Sequence, residues 1–185
     1  MNPVDTYIKS ALEILYDQDQ VLFAGNLSER CIAFRFAHYL QNVLDATKDS
    51  SEYFVDCDYN SSVIYNKETD EYERVQGKKI QDILINRDEG VEGEKKSTGR
   101  FIDIIVHRRS YNKNAEEWSD FFCIELKKWN NITDDGVAKD SNNLAQLTSF
   151  FGYEFGYHLI LGEDKKDTKI KVFTNGDVGD LNKVF

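Results

Sequence analysis

The chain has 185 residues, of which 41% are hydrophobic and 13% aromatic, so it can bury a substantial core and does not read as disordered. The net charge of −10 argues against nonspecific binding to phosphate backbones, although a local basic strip could still serve a small site. The three cysteines form no CxxC pair, and the N-terminus lacks the pattern of a signal peptide. We therefore expect a cytoplasmic protein with reduced thiols and no membrane-spanning segment.

The first third of the chain predicts two helices followed by a strand. Apolar residues at helical spacing predict helices over about residues 4–16 and 28–45. Asn26 or Ser28 can cap the second of these helices. The segment "EYFVDCDYN", residues 52–60, predicts a strand, and the following "SSVIYN" either continues it or forms its hairpin partner.

The middle of the chain predicts a polar stretch and then two strands. Residues 67–100 are polar apart from "IQDILI", and residues 86–99 are rich in glycine and charge, which predicts a mobile surface loop. "RFIDIIVHRR", residues 100–109, predicts a central strand because apolar residues occupy both of its faces. After a turn, "FFCIELKKW" predicts the next strand of a meander.

The last third predicts one helix and two closing strands. The helix should cover about residues 140–154, with a buried stripe of Leu144, Leu147, Phe150 and Phe151. "YHLILG" and "KIKVFT" then complete the sheet. This order predicts an α/β or α+β meander fold with layered helices and sheet, formed by a single domain of residues 1–185 whose core covers about 26–175.

Two carboxylates interrupt the two predicted central strands. Asp103 lies within "FIDIIV" and Glu125 within "FFCIEL", where an ionised side chain is costly to bury. If the strands are neighbours, the two acids come within about 5 Å on one face. Their repulsion would be about 3 kcal/mol at an effective dielectric of about 20. A divalent cation removes that repulsion, and hard oxygen ligands favour Mg²⁺ or Mn²⁺.

Two further residues fit the same site. Glu29 shares the apolar face of its helix, so it could provide a third metal ligand at the end of the sheet. Lys127 lies on the same strand face as Glu125, where its charge could stabilise a phosphate or orient water. The spacing D/E-x-K alone is not informative, because it recurs at polar positions such as Glu94 and Glu163. Alternatively, Glu125 and Lys127 could form a structural ion pair, and Asp103 could cap a turn.

This combination resembles the PD-(D/E)XK nuclease superfamily over about residues 26–162. "SER…AHYL", "RFIDIIVHRR" and "FCIELKK" resemble the segments that carry its acidic residues and lysine. The sequence of these segments also resembles that of a group of small bacterial proteins with this core. The resemblance implies a restriction-endonuclease-like αβββαβ core in three layers with a central mixed sheet, here with an extra N-terminal helix. It assigns catalysis to Glu29, Asp103, Glu125 and Lys127.

The resemblance is incomplete at two positions, and one further acid competes with Asp103. Ile102 stands where a proline often precedes the aspartate, a position that the superfamily varies freely. Many exonuclease members carry Q-x-x-x-Y on the next helix, whereas here Gln146 is followed by Phe150. Asp82 in "IQDILI" is another acid within an apolar run, but Asp103 lies closer to Glu125 along the chain and suits adjacent strands better.

Several polar residues could contact nucleic acid. They lie at the ends of predicted strands or on the last helix, and they are Lys128, Arg108, Arg109, Tyr59, Asn60 and Gln146. The first functional hypothesis is a Mg²⁺- or Mn²⁺-dependent phosphodiesterase that acts on DNA, with RNA as the alternative substrate. The second is an inactive subunit with the same fold that binds a protein partner, or pairs as a homodimer.

Overall fold

A computed structural model describes residues 2–47, 52–59, 62–66, 71–75, 102–108 and 120–180. The chain divides into two compact units, a larger one of Met1–Tyr59 with Ile102–Phe185 and a smaller one of Asn60–Phe101. The predicted surface loop 86–99 and the competing acid Asp82 lie outside the described residues. The single-domain organisation stays a prediction.

Along the chain, three described helices are followed by five strands, a fourth helix and three further strands. The helices are α1 (Pro3–Gln18), α2 (Gln20–Ala24), α3 (Glu29–Asp45) and α4 (Asp134–Phe150), with 3-10 turns at Trp129–Asn131 and Lys165–Asp167. The strands are β1 (Tyr53–Tyr59), β2 (Ser62–Asn66), β3 (Glu71–Val75), β4 (Ile102–Arg108), β5 (Asp120–Lys128), β6 (Phe155–Leu161), β7 (Lys169–Thr174) and β8 (Asp177–Asp180). The pattern of the sequence did not predict the short elements α2, β3 and β8.

Polar side chains cap the starts of the three long helices. Asn2 forms a capping box with α1, and the Ser28 side chain accepts a hydrogen bond from the Cys31 N–H at the start of α3. The predicted helices over 4–16 and 28–45 are therefore confirmed to within two residues. Thr133 caps α4, which starts six residues before the predicted position.

The predicted stripe of α4 is partly wrong. Leu144 and Leu147 are fully buried, whereas Phe150 is 78% exposed. Much of the buried face consists instead of polar residues, among them Asp140, Asn143 and Gln146. Hydrophobic periodicity cannot locate a buried face that is largely polar, so it misplaced both the start of the helix and its end.

Six strands form a mixed sheet in the larger unit, in the order β1-β4-β5-β6-β7-β8. Each neighbouring pair is antiparallel except β5 and β6, which run parallel and are joined by a crossover through α4. The predicted meander of β4 and β5 is confirmed, with Ile104 opposite Ile124. The class is therefore mixed α/β.

The smaller unit contains a hairpin in its described part. β2 pairs with β3 in a separate two-stranded antiparallel sheet. The expectation that "SSVIYN" extends or pairs with β1 is therefore wrong, because its hydrogen-bonding partner comes later in the chain. The polar composition of residues 71–75 concealed that partner.

Helices cover both faces of the large sheet. Alternate residues of the central strands, such as Ile104, Ile124 and Leu159, belong to the same buried cluster as Phe36 and Leu40 of α3. The other face of the sheet carries α4. Since Glu125 and Lys127 alternate with the apolar residues that face α1 and α3, they lie on the α4 side.

A glycine sets how closely α4 approaches β6, and it gives a test of this packing. A Cβ at Gly156 would lie 3.2 Å from Leu144 Cβ and 3.3 Å from Thr148 Cγ2. Gly156→Ala should therefore lower the free energy of unfolding by about 1–3 kcal/mol, measured by urea denaturation. Gly179→Ala on β8 is the control, since its Cβ would approach nothing closer than 3.9 Å. Equal losses in both variants would contradict the tight packing.

Candidate active site

Asp103 and Glu125 meet on adjacent strands, as predicted from the sequence. In the β4–β5 register they form the pair next to Ile104 and Ile124, so they share a face. A hydrogen bond joins the two carboxyl groups. Asp103 Oδ2 also accepts a hydrogen bond of 2.8 Å from the Leu126 N–H. Glu125 is only 4% exposed, which makes its ionisation costly.

The pair binds a proton more tightly than separate carboxyl groups do. Burial raises the pKa of Asp103, and the hydrogen bond from the Leu126 N–H opposes that rise. Burial, and then the negative charges of Asp103 and Asp140, raise the pKa of Glu125 well above its ordinary value. Glu125 is therefore the protonated carboxyl group of the pair, and it donates a hydrogen bond to the Asp103 carboxylate.

Lys127 lies between two carboxylates. Its Nζ is 3.1 Å from Glu29 Oε1 and 3.2 Å from Asp140 Oδ2. Burial by itself would lower the pKa of Lys127, but the charges of Asp140 and Glu29 outweigh it and raise that pKa. Lys127 therefore remains a cation and is not available as a general base near neutral pH.

Glu29 reaches the site from the first turn of α3. Its Oε1 accepts a hydrogen bond from Lys127 Nζ, and its Oε2 accepts one of 3.0 Å from the Lys128 N–H. It also lines the same cleft as Asp103. Its oxygens are engaged by Lys127 and Lys128, however, and among the described residues no three His, Cys, Asp or Glu side chains are arranged to hold a metal ion. The three-carboxylate ligand set stays a prediction.

No motif in the sequence assigned Asp140 to the site, and the sequence pattern indicated that His158 was an ordinary strand residue. Asp140 is 7% exposed and projects from α4, and His158 is fully buried on β6 in register with Glu125. The surrounding "DDGVAKDSNN" is polar and contains no motif. The available signal was spacing, because Asp140 precedes Leu144 and Leu147 by one and two helical turns on the same stripe.

Lys128, predicted to contact nucleic acid, is enclosed. It is 2% exposed, and its Nζ donates hydrogen bonds to Asn26 Oδ1 at 2.5 Å and to the Leu27 carbonyl at 2.7 Å. Its ammonium also lies 5.4 Å from the ring centre of Trp129. These contacts tie the end of β5 to the loop before α3, so a contact with a phosphate would require them to break.

The remaining candidates for nucleic-acid contacts differ in accessibility. The Arg108 side chain is 47% exposed, pairs with Glu52 at 3.5 Å and lies over the ring of Tyr53. Gln146 is 7% exposed, and no described group bonds its Nε2. Arg109, Asn60 and the side chain of Tyr59 lie outside the described residues.

A cleft of about 680 Å³ opens beside the carboxyl pair. It is lined by Ser28, Glu29, Arg30, Cys31, Ala33, Phe34, Cys57, Asp58 and Asp103. Asp58 pairs with Arg30 at 3.1 Å, and Phe34 is 65% exposed. The three cysteines are free, as predicted, and burial raises the pKa of Cys57 to about 11, so its thiol is not a nucleophile at neutral pH.

Comparisons with family models, curated proteins and solved structures find no match for this chain. The resemblance to the PD-(D/E)XK superfamily therefore depends on the sequence segments quoted above alone. Among the residues that the structure describes, no helix has the length and apolarity needed to cross a bilayer.

The raised pKa of Glu125 predicts a pH-dependent stability. The stability linked to the protonated carboxyl is present below its ordinary pKa of 4.5 and is lost as pH rises through the folded-state value. Glu125→Gln imitates the protonated form and can still donate to Asp103. We expect this variant to have a higher Tm than the unsubstituted protein at pH 8, with a difference that shrinks toward pH 5.

Thermal unfolding followed by circular dichroism from pH 5 to pH 9 measures this difference. Asp135→Asn is the matched control, because Asp135 is exposed in the first turn of α4. A Tm difference for Glu125→Gln that stays constant with pH would contradict a buried, proton-binding pair.

Proposed function

We propose that this protein is a Mg²⁺- or Mn²⁺-dependent phosphodiesterase that cleaves nucleic acid, with DNA as the expected substrate. The observation that carries the proposal is the meeting of Asp103 and Glu125 on adjacent strands, beside the fixed ammonium of Lys127. A carboxyl pair and a lysine at one end of a sheet is the arrangement that the PD-(D/E)XK resemblance implies.

The order of elements supports the same proposal. From α3 onward the larger unit runs α3, β1, β4, β5, α4 and β6, which is the order αβββαβ. These four strands are consecutive neighbours in the sheet, and helices lie on both of its faces. α1 would be the extra N-terminal helix. We therefore propose a restriction-endonuclease-like core.

The donor set suits a hard divalent cation. Mg²⁺ in enzymes of phosphate chemistry is commonly held by one or two carboxylates together with substrate oxygens. Asp103 and Glu125 supply two such groups, which repel each other once both are ionised. They are the residues that would hold the cation, and Glu29 is the candidate for a further ligand. When bound, the ion would supply Lewis acidity and lower the pKa of water.

The other residues have roles that follow from their contacts. Lys127 carries a permanent positive charge and can stabilise negative charge that grows on a phosphate in the transition state. The Leu126 N–H holds one Asp103 oxygen in a fixed direction. Glu29 anchors Lys127 and the backbone that follows it. Together they keep the site ordered before substrate arrives.

The net charge of −10 adds an expectation about binding. The charged residues that line the cleft are three acids, Glu29, Asp58 and Asp103, and one base, Arg30. Arg30 pairs with Asp58, so the cleft has an excess of negative charge and repels a phosphate backbone unless a cation intervenes. Binding to nucleic acid should therefore require a divalent metal. Fluorescence anisotropy with labelled DNA in Ca²⁺ and in EDTA measures this requirement directly.

The decisive experiment is a cleavage assay with purified protein. Linear duplex, circular duplex and single-stranded DNA, and single-stranded RNA, are each incubated with Mg²⁺, Mn²⁺ or EDTA. Cleavage in either metal and none in EDTA is the expected result, and cleavage of the circle identifies an endonuclease. If no nucleic acid is cleaved in either metal, the proposal fails and the inactive, partner-binding subunit takes its place.

A further inference from the structure

The Lys127 ammonium is held by residues from two helices that cover opposite faces of the sheet. Glu29 approaches from the start of α3 and Asp140 from α4, at 3.1 Å and 3.2 Å. Glu29 is one of the residues that the PD-(D/E)XK resemblance includes, whereas Asp140 is not. The resemblance therefore gives no reason for a buried carboxylate at position 140.

The negative charge of the buried Asp140 carboxylate is compensated by Lys127. The carboxylate is buried, and within the described part of the chain no aligned hydrogen bond satisfies its Oδ2. A buried carboxylate without a partner is strongly destabilising, so the ion pair with Lys127 is what makes this position tolerable. The arrangement couples the two side chains closely.

His158 does not compete with Lys127 for this carboxylate. Its Nε2 lies 3.8 Å from Asp140 Oδ2, beyond hydrogen-bonding distance. Burial lowers the pKa of His158, and the opposing charge of Asp140 does not reverse this, while Lys171 and Lys127 add to it. With His158 neutral, Lys127 is the cation that faces Asp140.

Helix packing fixes where Asp140 lies relative to β5. Leu144 and Leu147 lie on the same stripe of α4 and are fully buried. Leu144 packs against Gly156 of β6, the strand next to β5. The position of the carboxylate is therefore set by the core and not by a surface loop. Because Glu29 and Asp140 hold the Lys127 ammonium from both sides, the flexible Lys127 side chain is already ordered before substrate binds.

We infer that Asp140 is a positioning residue for the phosphodiester reaction, which holds the Lys127 ammonium beside the Asp103–Glu125 pair. This inference depends on the proposed function. It assigns to α4 a part in the chemistry that the motif residues alone do not include.

The test is a double-mutant cycle on single-turnover cleavage in Mn²⁺, with Asp140→Asn, Lys127→Ala and the combined variant. Asp140→Asn should lower the rate about ten- to hundredfold, as loss of a supporting partner commonly does, while the Kd for DNA in Ca²⁺ changes by less than about threefold. In the Lys127→Ala background the same change should have little further effect. Asp135→Asn, on the exposed side of α4, should leave the rate unchanged.

A charge-conserving variant separates positioning from general structural support. Asp140→Glu keeps the negative charge but displaces the Lys127 ammonium, so the single-turnover rate should fall at least about tenfold although the charge is retained. If Asp140→Asn does not fold, Asp140→Glu takes its place in the double-mutant cycle.

Two results would overturn the inference while leaving the proposed function intact. One is full activity in Asp140→Asn. The other is a loss that is equal in the presence and absence of Lys127, since that would show support of the fold and not of the lysine. Absence of cleavage by the unsubstituted protein would instead overturn the proposed function, and the inference with it.

Discussion

Replacing Asp103 with asparagine is expected to abolish both metal binding and metal-dependent cleavage. Asp103 accepts hydrogen bonds from Glu125 and from the Leu126 N–H, so it is the ionised member of the pair. Asparagine preserves the shape but removes the charge that a hard cation requires. Cleavage should fall below detection, a loss of about a thousandfold or more in a standard assay.

Mn²⁺ titration followed by thermal unfolding measures the binding step without any substrate. A ligand that binds the folded state raises Tm in proportion to the logarithm of its concentration above Kd. The unsubstituted protein should show that rise and Asp103→Asn should not. Asp177→Asn, on the exposed strand β8, is the control that should respond normally. An undiminished response in Asp103→Asn would reject the site.

Replacing Lys127 with alanine should separate catalysis from metal binding. The ammonium stabilises charge that grows only in the transition state, so we expect a loss of at least about a hundredfold in single-turnover rate. Mn²⁺ should still raise Tm, because Asp103 and Glu125 remain. The variant should fold, but with a free energy of unfolding lower by about 1–3 kcal/mol, since Glu29 and Asp140 lose their partner.

The control for Lys127 is a lysine outside the site. Lys139 is exposed on α4, and Lys139→Ala should cleave at the normal rate. Lys128 is unsuitable as a neutral control, because its buried ammonium bonds Asn26 and Leu27 and its removal should lower stability. Normal cleavage by Lys127→Ala would contradict the electrostatic role of Lys127.

The sequence by itself determined the central strands and the approximate position of the carboxyl pair. Apolar runs around Asp103 and Glu125 are long enough to specify buried strands, and the period of two assigns each side chain to a face. Two candidate caps, Asn26 and Ser28, similarly marked the start of α3, and the structure shows that Ser28 is the cap, because a cap bonds a backbone N–H only a few residues away. These features depend on neighbours along the chain, which a sequence displays directly.

Only the tertiary structure decided which charges meet. The contacts of Glu29 with Lys127, and of Lys128 with Asn26, join residues about a hundred positions apart. Their geometry depends on how helices settle on the sheet. Asp140 was hidden for the same reason, since α4 buries a largely polar face that hydrophobic periodicity does not mark. A buried charge requires an opposite charge or a hydrogen-bonding group beside it. Packing of the helices on the sheet, and not spacing in the sequence, brings these groups together.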